Sequence, residues 1–147
     1  MSEWVLLLGG STGHGAATAK RLAKDGYGII AFHFDRGEAK KIAEETINEV
    51  QSLTDGRCHY FNTNAASEEA MDSFIPQIKE ITNGSKLKLL LHSIAFGTTT
   101  NFFGDKPVTQ RQMDMTVHVM GNSILYWTQK LYNEELLGSG SRIIGLT

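Results

Sequence analysis

Apolar and polar positions along this chain follow two rhythms. One is a set of short apolar runs: residues 4–8 (WVLLL), 28–34 (GIIAFHF), 57–62 (RCHYFN), 86–92 (KLKLLLH) and 141–147 (SRIIGLT). Runs of this length predict strands of a parallel sheet, covered on both faces. The other rhythm is helical. Residues 14–24 are alanine-rich and are closed by Gly26. Residues 38–53 place Ile42, Thr46 or Ile47, Val50 and Leu53 on one face and charges on the other. Ser67 is positioned to cap a helix through Ile81, with Met71, Phe74, Ile75 and Ile78 inward. Pro76 is expected to kink or shorten that helix. Thr109 and Gln112 form a capping box that opens a helix to about Leu137, with Val117, Met120, Ile124, Leu131 and Leu136 inward. Before it lies a long, aromatic loop, SIAFGTTTNFFGDKP, of a kind that often carries function.

Strands alternating with helices imply right-handed βαβ units. The expected fold is therefore an α/β, doubly wound parallel sheet of the Rossmann type, strand order 3-2-1-4-5. Its ligands would sit at the carboxyl ends of the strands. The 147 residues suit one domain, 1–147, without repeats. Hydrophobic residues make up 41% and charged residues 20%, and the net charge is −2. That balance gives no electrostatic footprint for nucleic acid. No apolar run reaches the roughly 20 residues of a membrane helix, and the start, MSEWVLLLGG, lacks a signal peptide's basic region. Cys58 is the only cysteine, so no internal disulfide forms, which fits a cytoplasmic location. Cys58 and His59 are adjacent rather than at metal-ligand spacing, and both read as strand residues.

Directly after the first strand comes GGSTGHG, with Gly9, Gly13 and Gly15 spaced G-x-x-x-G-x-G at the opening of the first helix. A strand that turns at once into a helix needs residues without a Cβ. The free N–H groups of the first helical turn then converge on one spot, which suits a pyrophosphate. Ser11 and Thr12 add hydroxyl donors, and His14 is a neighbour of the phosphates rather than a base. A carboxylate after the second strand would accept from the ribose hydroxyls of NAD, whereas a guanidinium would pair with the 2′-phosphate of NADP. The segment FHFDRG offers both Asp35 and Arg36, and His33 adds a donor. These two residues also suit a turn that caps the next helix.

GGSTGHG resembles the turn of the short-chain dehydrogenase/reductase superfamily, with Leu8 where a Thr is common. HSIA, residues 92–95, stands where the superfamily has Asn-Asn-Ala-Gly. With Phe96 and Gly97 it resembles the enoyl-acyl-carrier-protein reductase branch. NTNAAS resembles the segment after the third strand, with Asn64 replacing the Asp that holds the adenine. HVMGNSILYWTQ resembles the superfamily's NVxGxxxxTQ helix, with His118 replacing the usual Asn. The resemblance implies an NADP-dependent reductase of enoyl thioesters, the acyl group carried on acyl carrier protein. A 3-oxoacyl or other short-chain reductase, and a nucleotide-binding module without catalysis, are the alternatives. It implies a nicotinamide dinucleotide held by Gly9, Ser11, Thr12, Gly13, His14, Gly15, Phe34, Arg36, Asn64, Ala65, Ser93, Ile94 and Ala95. Aligned on Phe34, Arg36 falls where NADP-dependent relatives keep a basic residue, so NADP is favoured over NAD and Asp35 is expected to point elsewhere.

The superfamily's Tyr and Lys follow the fifth strand, so the resemblance places them beyond Thr147 and the sheet is incomplete on its C-terminal side. The chain does hold one Tyr-x-x-x-Lys, Tyr126 and Lys130, but before the fifth strand. The matching helix in relatives usually packs in a subunit interface, which implies a homo-oligomeric full-length form. Packing and surface roles are therefore expected for this pair. His92 is expected alongside the cofactor. His118 is expected near the active-site floor as a structural histidine rather than a proton relay.

Overall fold

A computed structural model describes residues 2–147. Five parallel strands form one sheet: β1 (Trp4–Leu8), β2 (Gly28–His33), β3 (Cys58–Asn62), β4 (Leu89–His92) and β5 (Arg142–Gly145). Their order is β3-β2-β1-β4-β5, as the α/β pattern predicts. Helices α1 (Gly13–Lys24), α2 (Glu38–Leu53) and α3 (Glu68–Ile81) connect the first four strands. Between β4 and β5 run α4 (Gln110–Val117), a π-helical turn (His118–Asn122) and α5 (Ser123–Asn133).

The continuous apolar runs are explained by burial on both sides. Alternate residues of β1 and β2 face opposite layers. Leu6, Leu8, Ile30 and Phe32 pack against Met71, Ile75 and Ile78 of α3 and Trp127 and Leu131 of α5. Val5, Leu7, Ile29 and Ala31 pack against Ala19 and Ala23 of α1 and Val50 of α2. Strand β5 is the exception. Its outer edge is unpaired among the described residues, and Ile143 and Ile144 are exposed. This edge is the C-terminal side on which the resemblance implies an incomplete sheet.

Helix α3 runs across Pro76 to Ile81, so the proline does not shorten it. Pro76 and Asp72 are both exposed, so the carbonyl that loses its partner lies on the solvent side, while Ile75 and Ile78 anchor the buried face. In α2 the buried stripe is Ala43, Thr46 and Val50, and Ile42 points outward. The single helix expected over residues 109–137 is interrupted. The capping box of Thr109 and Gln112 forms, but the π-turn then changes the phase. Val117 and Met120, expected inward, are exposed, and the buried positions are Val119, Ser123, Trp127 and Leu131. Leu136 is buried, but beyond the end of α5.

Candidate nucleotide-binding site

At the carboxyl ends of four strands lies a cavity of about 450 Å³. Its walls come from the turn after β1, the end of β2, the segment after β3 and the loop after β4, with Met115, His118 and Val119 closing one side. Sheet order reverses between β1 and its neighbours here, the position where open α/β sheets bind ligands.

The floor is the glycine turn. Gly9 and Gly10 both donate their N–H to the Phe32 carbonyl, at 2.9 and 3.0 Å, which folds the chain tightly off β1. Tyr60 donates its hydroxyl to the Gly10 carbonyl at 3.1 Å. Burial raises the pKa of Tyr60, so it stays a donor. Close approach dictates two of the glycines. A Cβ on Gly9 would lie 2.3 Å from the Ser93 carbonyl oxygen, and one on Gly15 would lie 1.7 Å from that of Gly9. Gly13 differs: it has φ +54° and open space where a Cβ would project. Thr12 occupies the N-cap of α1 in extended geometry, yet its side chain makes no capping bond. The first-turn N–H groups therefore keep their capacity to donate to an anion.

Of the residues expected to hold a dinucleotide, Gly9, Ser11, Thr12, Gly13, His14, Phe34, Asn64, Ala65, Ser93, Ile94 and Ala95 all line this cavity. Gly15 lies behind the turn, packed on Gly9. Arg36 stands outside the lining, its guanidinium stacked over the Phe34 ring at 4.8 Å. Asp35, expected to point elsewhere, lines the cavity. Its Oδ2 accepts from Ser11 Oγ at 2.6 Å and from His33 Nδ1 at 2.8 Å. His33 in the same segment is one of its donors, but the other, Ser11, lies on the turn after β1 and has no signal in the local sequence. Phe32, Thr63, Met115 and Val119 also line the cavity without having been singled out, as does Phe96, named only for the resemblance.

The far wall is held by side chains from the π-turn and α5. Asn64 Oδ1 accepts from the Ala66 N–H, a local turn that shapes the segment after β3. His118 Nε2 donates to the Ala66 carbonyl at 2.9 Å, a structural bond at the edge of the cavity. Trp127 Nε1 donates to the Ala65 carbonyl at 2.7 Å. His92 is buried at the end of β4. Ser123 donates its single hydroxyl hydrogen to the Val119 carbonyl, so it accepts from His92 Nε2 at 2.7 Å. Burial holds the His92 pKa below its usual value.

Tyr126 and Lys130 are not brought to this cavity. They line a separate groove between α3 and α5, where Lys130 bonds to Asp72 and lies 3.6 Å from Glu68. The hydrogen bond to Asp72 is the main cause of a raised Lys130 pKa. Cys58 is partly buried, its pKa pushed up to about 11 by desolvation, so it is no nucleophile at neutral pH. Among the described residues no cluster of carboxylates, histidines or cysteine is arranged to hold a metal ion. No helix among them is long and apolar enough to cross a membrane.

A family model described as short chain dehydrogenase matches residues 3–147. No curated protein matches the chain significantly. Among solved structures, a short-chain dehydrogenase/reductase from Serratia marcescens superposes with a TM-score of 0.77 at 23% identity, over 97% of this chain and 54% of that one. A 3-oxoacyl-[acyl-carrier protein] reductase from Brucella melitensis gives 0.76 at 18% identity, over 99% and 56%. An L-sorbose reductase from Gluconobacter frateurii, complexed with NADPH and L-sorbose, gives 0.74 at 14% identity, over 91% and 48%. At these identities the likeness speaks for the fold. The chain spans about half the length of these structures.

Proposed function

Because this chain belongs to the short-chain dehydrogenase family, we propose that it is the nucleotide-binding part of an NADP(H)-dependent reductase. The observation that carries the reading is the cavity itself: the glycine turn, the end of β2, Asn64 with Ala65, and residues 93–95 meet at one sheet end. The residues fit the group. Gly13 leaves open space at the mouth, and the uncapped N-terminus of α1 presents N–H donors to a pyrophosphate. Asn64 and Ala65 border the adenine side, and Ser93, Ile94 and Ala95 the nicotinamide side. Arg36, at the rim, is the cation for a 2′-phosphate. When bound, the nicotinamide supplies a hydride to the substrate.

The substrate proposed is an enoyl thioester, the acyl group borne on acyl carrier protein, in a homo-oligomeric enzyme. Its support is the HSIAFG segment and the apolar residues Ile94, Phe96, Met115 and Val119 in the cavity lining. The proton-donating Tyr and its Lys are expected outside residues 1–147, since Tyr126 and Lys130 line another groove. Within these residues the chemistry is therefore binding and orientation of the nucleotide. Calorimetric titration with NADPH and NADH tests the reading. A charge-assisted contact from Arg36 contributes roughly 1.5–3 kcal/mol, or about 10- to 150-fold tighter NADPH binding. Arg36→Ala should remove that advantage. Equal affinity of the unmodified chain for both would overturn the NADP assignment, and binding of neither would overturn the nucleotide reading.

A further inference from the structure

We propose that Asp35 is a positioning residue for Arg36, and that the clamp formed around it by Ser11, His33 and Asn62 sets the NADP(H) selectivity of the site. This rests on the nucleotide reading above. A carboxylate at the adenosine end of such a cavity would ordinarily be assigned to the ribose hydroxyls, and it would repel a 2′-phosphate. The bonding of Asp35 points to a different role.

Asp35 is held at four points. Ser11 Oγ and His33 Nδ1 both donate to the same carboxylate oxygen, Oδ2. Its backbone N–H donates to Asn62 Oδ1 at 3.1 Å, and its carbonyl accepts from Asn62 Nδ2 at 3.1 Å. The paired bonds from Asn62 fix the peptide that leads into Arg36. The bonds to Oδ2 tie that peptide to the glycine turn through Ser11 and to β2 through His33. Arg36 is the opposite case. Its guanidinium rests on the Phe34 ring, and among the described residues it enters no ion pair. Phe34 itself lines the cavity. A carboxylate whose Oδ2 and backbone are engaged in holding the loop thus precedes a cation whose N–H donors remain available to an anion. Asn62 is exposed and outside the cavity lining, so its role runs through Asp35 alone.

The experiment titrates the whole chain with NADPH and with NADH, comparing the unmodified protein with Asp35→Ala, Asn62→Ala, Arg36→Ala and the double variant Asp35→Ala/Arg36→Ala. Circular dichroism checks that each is folded. Asp35→Ala and Asn62→Ala should each weaken NADPH binding by about threefold or more, and Asn62→Ala, outside the lining, should change NADH binding by less than about twofold. In the Arg36→Ala background, Asp35→Ala should leave the NADPH-to-NADH ratio unchanged, because the residue it positions is gone. Stronger NADPH binding by either clamp variant would overturn the proposal, as would an unchanged ratio in both. So would an equal loss with and without Arg36. If Asp35→Ala does not fold, Asn62→Ala decides, since it leaves the carboxylate in place. An unmodified chain that binds neither nucleotide would remove the functional reading and this proposal together. NADPH binding with clamp variants of unaltered selectivity would remove this proposal alone.

Discussion

Replacing Trp127 with Phe should cost the fold about 2–4 kcal/mol. Trp127 is fully buried, 5.1 Å centroid to centroid from Phe32, and its indole N–H donates to the Ala65 carbonyl at 2.7 Å. Phenylalanine keeps most of the ring but removes the donor. Ala65 is 7% exposed, so its carbonyl has little access to water once that donor is gone. Leaving a buried acceptor unpaired costs roughly 1–3 kcal/mol. The smaller ring also leaves a void near the volume of one water, ~30 Å³, which at about 24 cal/mol per Å³ adds roughly 0.7 kcal/mol. Against a total stability of about 5–15 kcal/mol this is a large fraction. Urea unfolding followed by far-ultraviolet circular dichroism measures it, since fluorescence would be confounded by the substitution. With a slope of about 2 kcal/mol per molar, the midpoint should fall by roughly 1–2 M. A midpoint within about 0.2 M of the parent would refute the argument that this hydrogen bond and its packing support the cavity wall.

Gly13→Val should abolish nucleotide binding, because its side chain would project into the open mouth above the glycine turn. A β-branched residue at φ +54° also adds strain of about 1–3 kcal/mol, so calorimetry must be paired with a folding check, and unchanged binding would reduce the cluster to a plain turn. His92 gives a pH prediction: burial lowers its pKa in the folded chain, so on acidification the unfolded chain takes up the proton first. Stability should therefore fall as pH drops below about 6.5, by at most about 1.4 kcal/mol per unit, levelling off below the folded pKa. His92→Gln, which keeps a donor for Ser123 without titrating, should flatten that slope in urea titrations at pH 7.5 and about 5.5, and an identical slope would exclude His92 as its source.

The elements governed by local chemistry were legible in the sequence. The apolar runs gave four of the five strands to within about two residues, and the fourth began three residues late because only 89–92 pair. Ser67, and Thr109 with Gln112, capped their helices as their spacing implied. The glycine turn was readable because its spacing, its strand before and its helix after all point the same way. What escaped depends on distant partners. Asp35 turns inward to meet His33, two residues before it, and Ser11, 24 residues away, and the second of these partners has no local signal. Ile42 was placed inward by a pattern that Ala43, buried with Thr46 and Val50, satisfies instead. Trp127 was passed over although it lies on the helical face of Ile124 and Leu131, three and four residues away.

The outward placement of Val117 and Met120 has a geometric cause that bears on the site. His118 and Trp127 grip two successive carbonyls after β3, those of Ala66 and Ala65. The two residues are nine positions apart, which at 3.6 residues per turn sets them about 180° apart on a regular helix. No straight α-helix could turn both toward one segment of chain. The π-turn over His118–Asn122 closes its bonds one residue later and so rotates less per residue. That brings His118 round toward the wall that Trp127 already faces. Ser123, at the end of the turn, is fixed by its bond to the Val119 carbonyl and by His92 on β4, so the irregular turn is itself tied to the sheet. One wall of a cavity founded on the first strand is thus held by side chains more than 50 residues downstream. A periodicity scan at a fixed angle misses this, because the feature that builds the wall is a local departure from that angle.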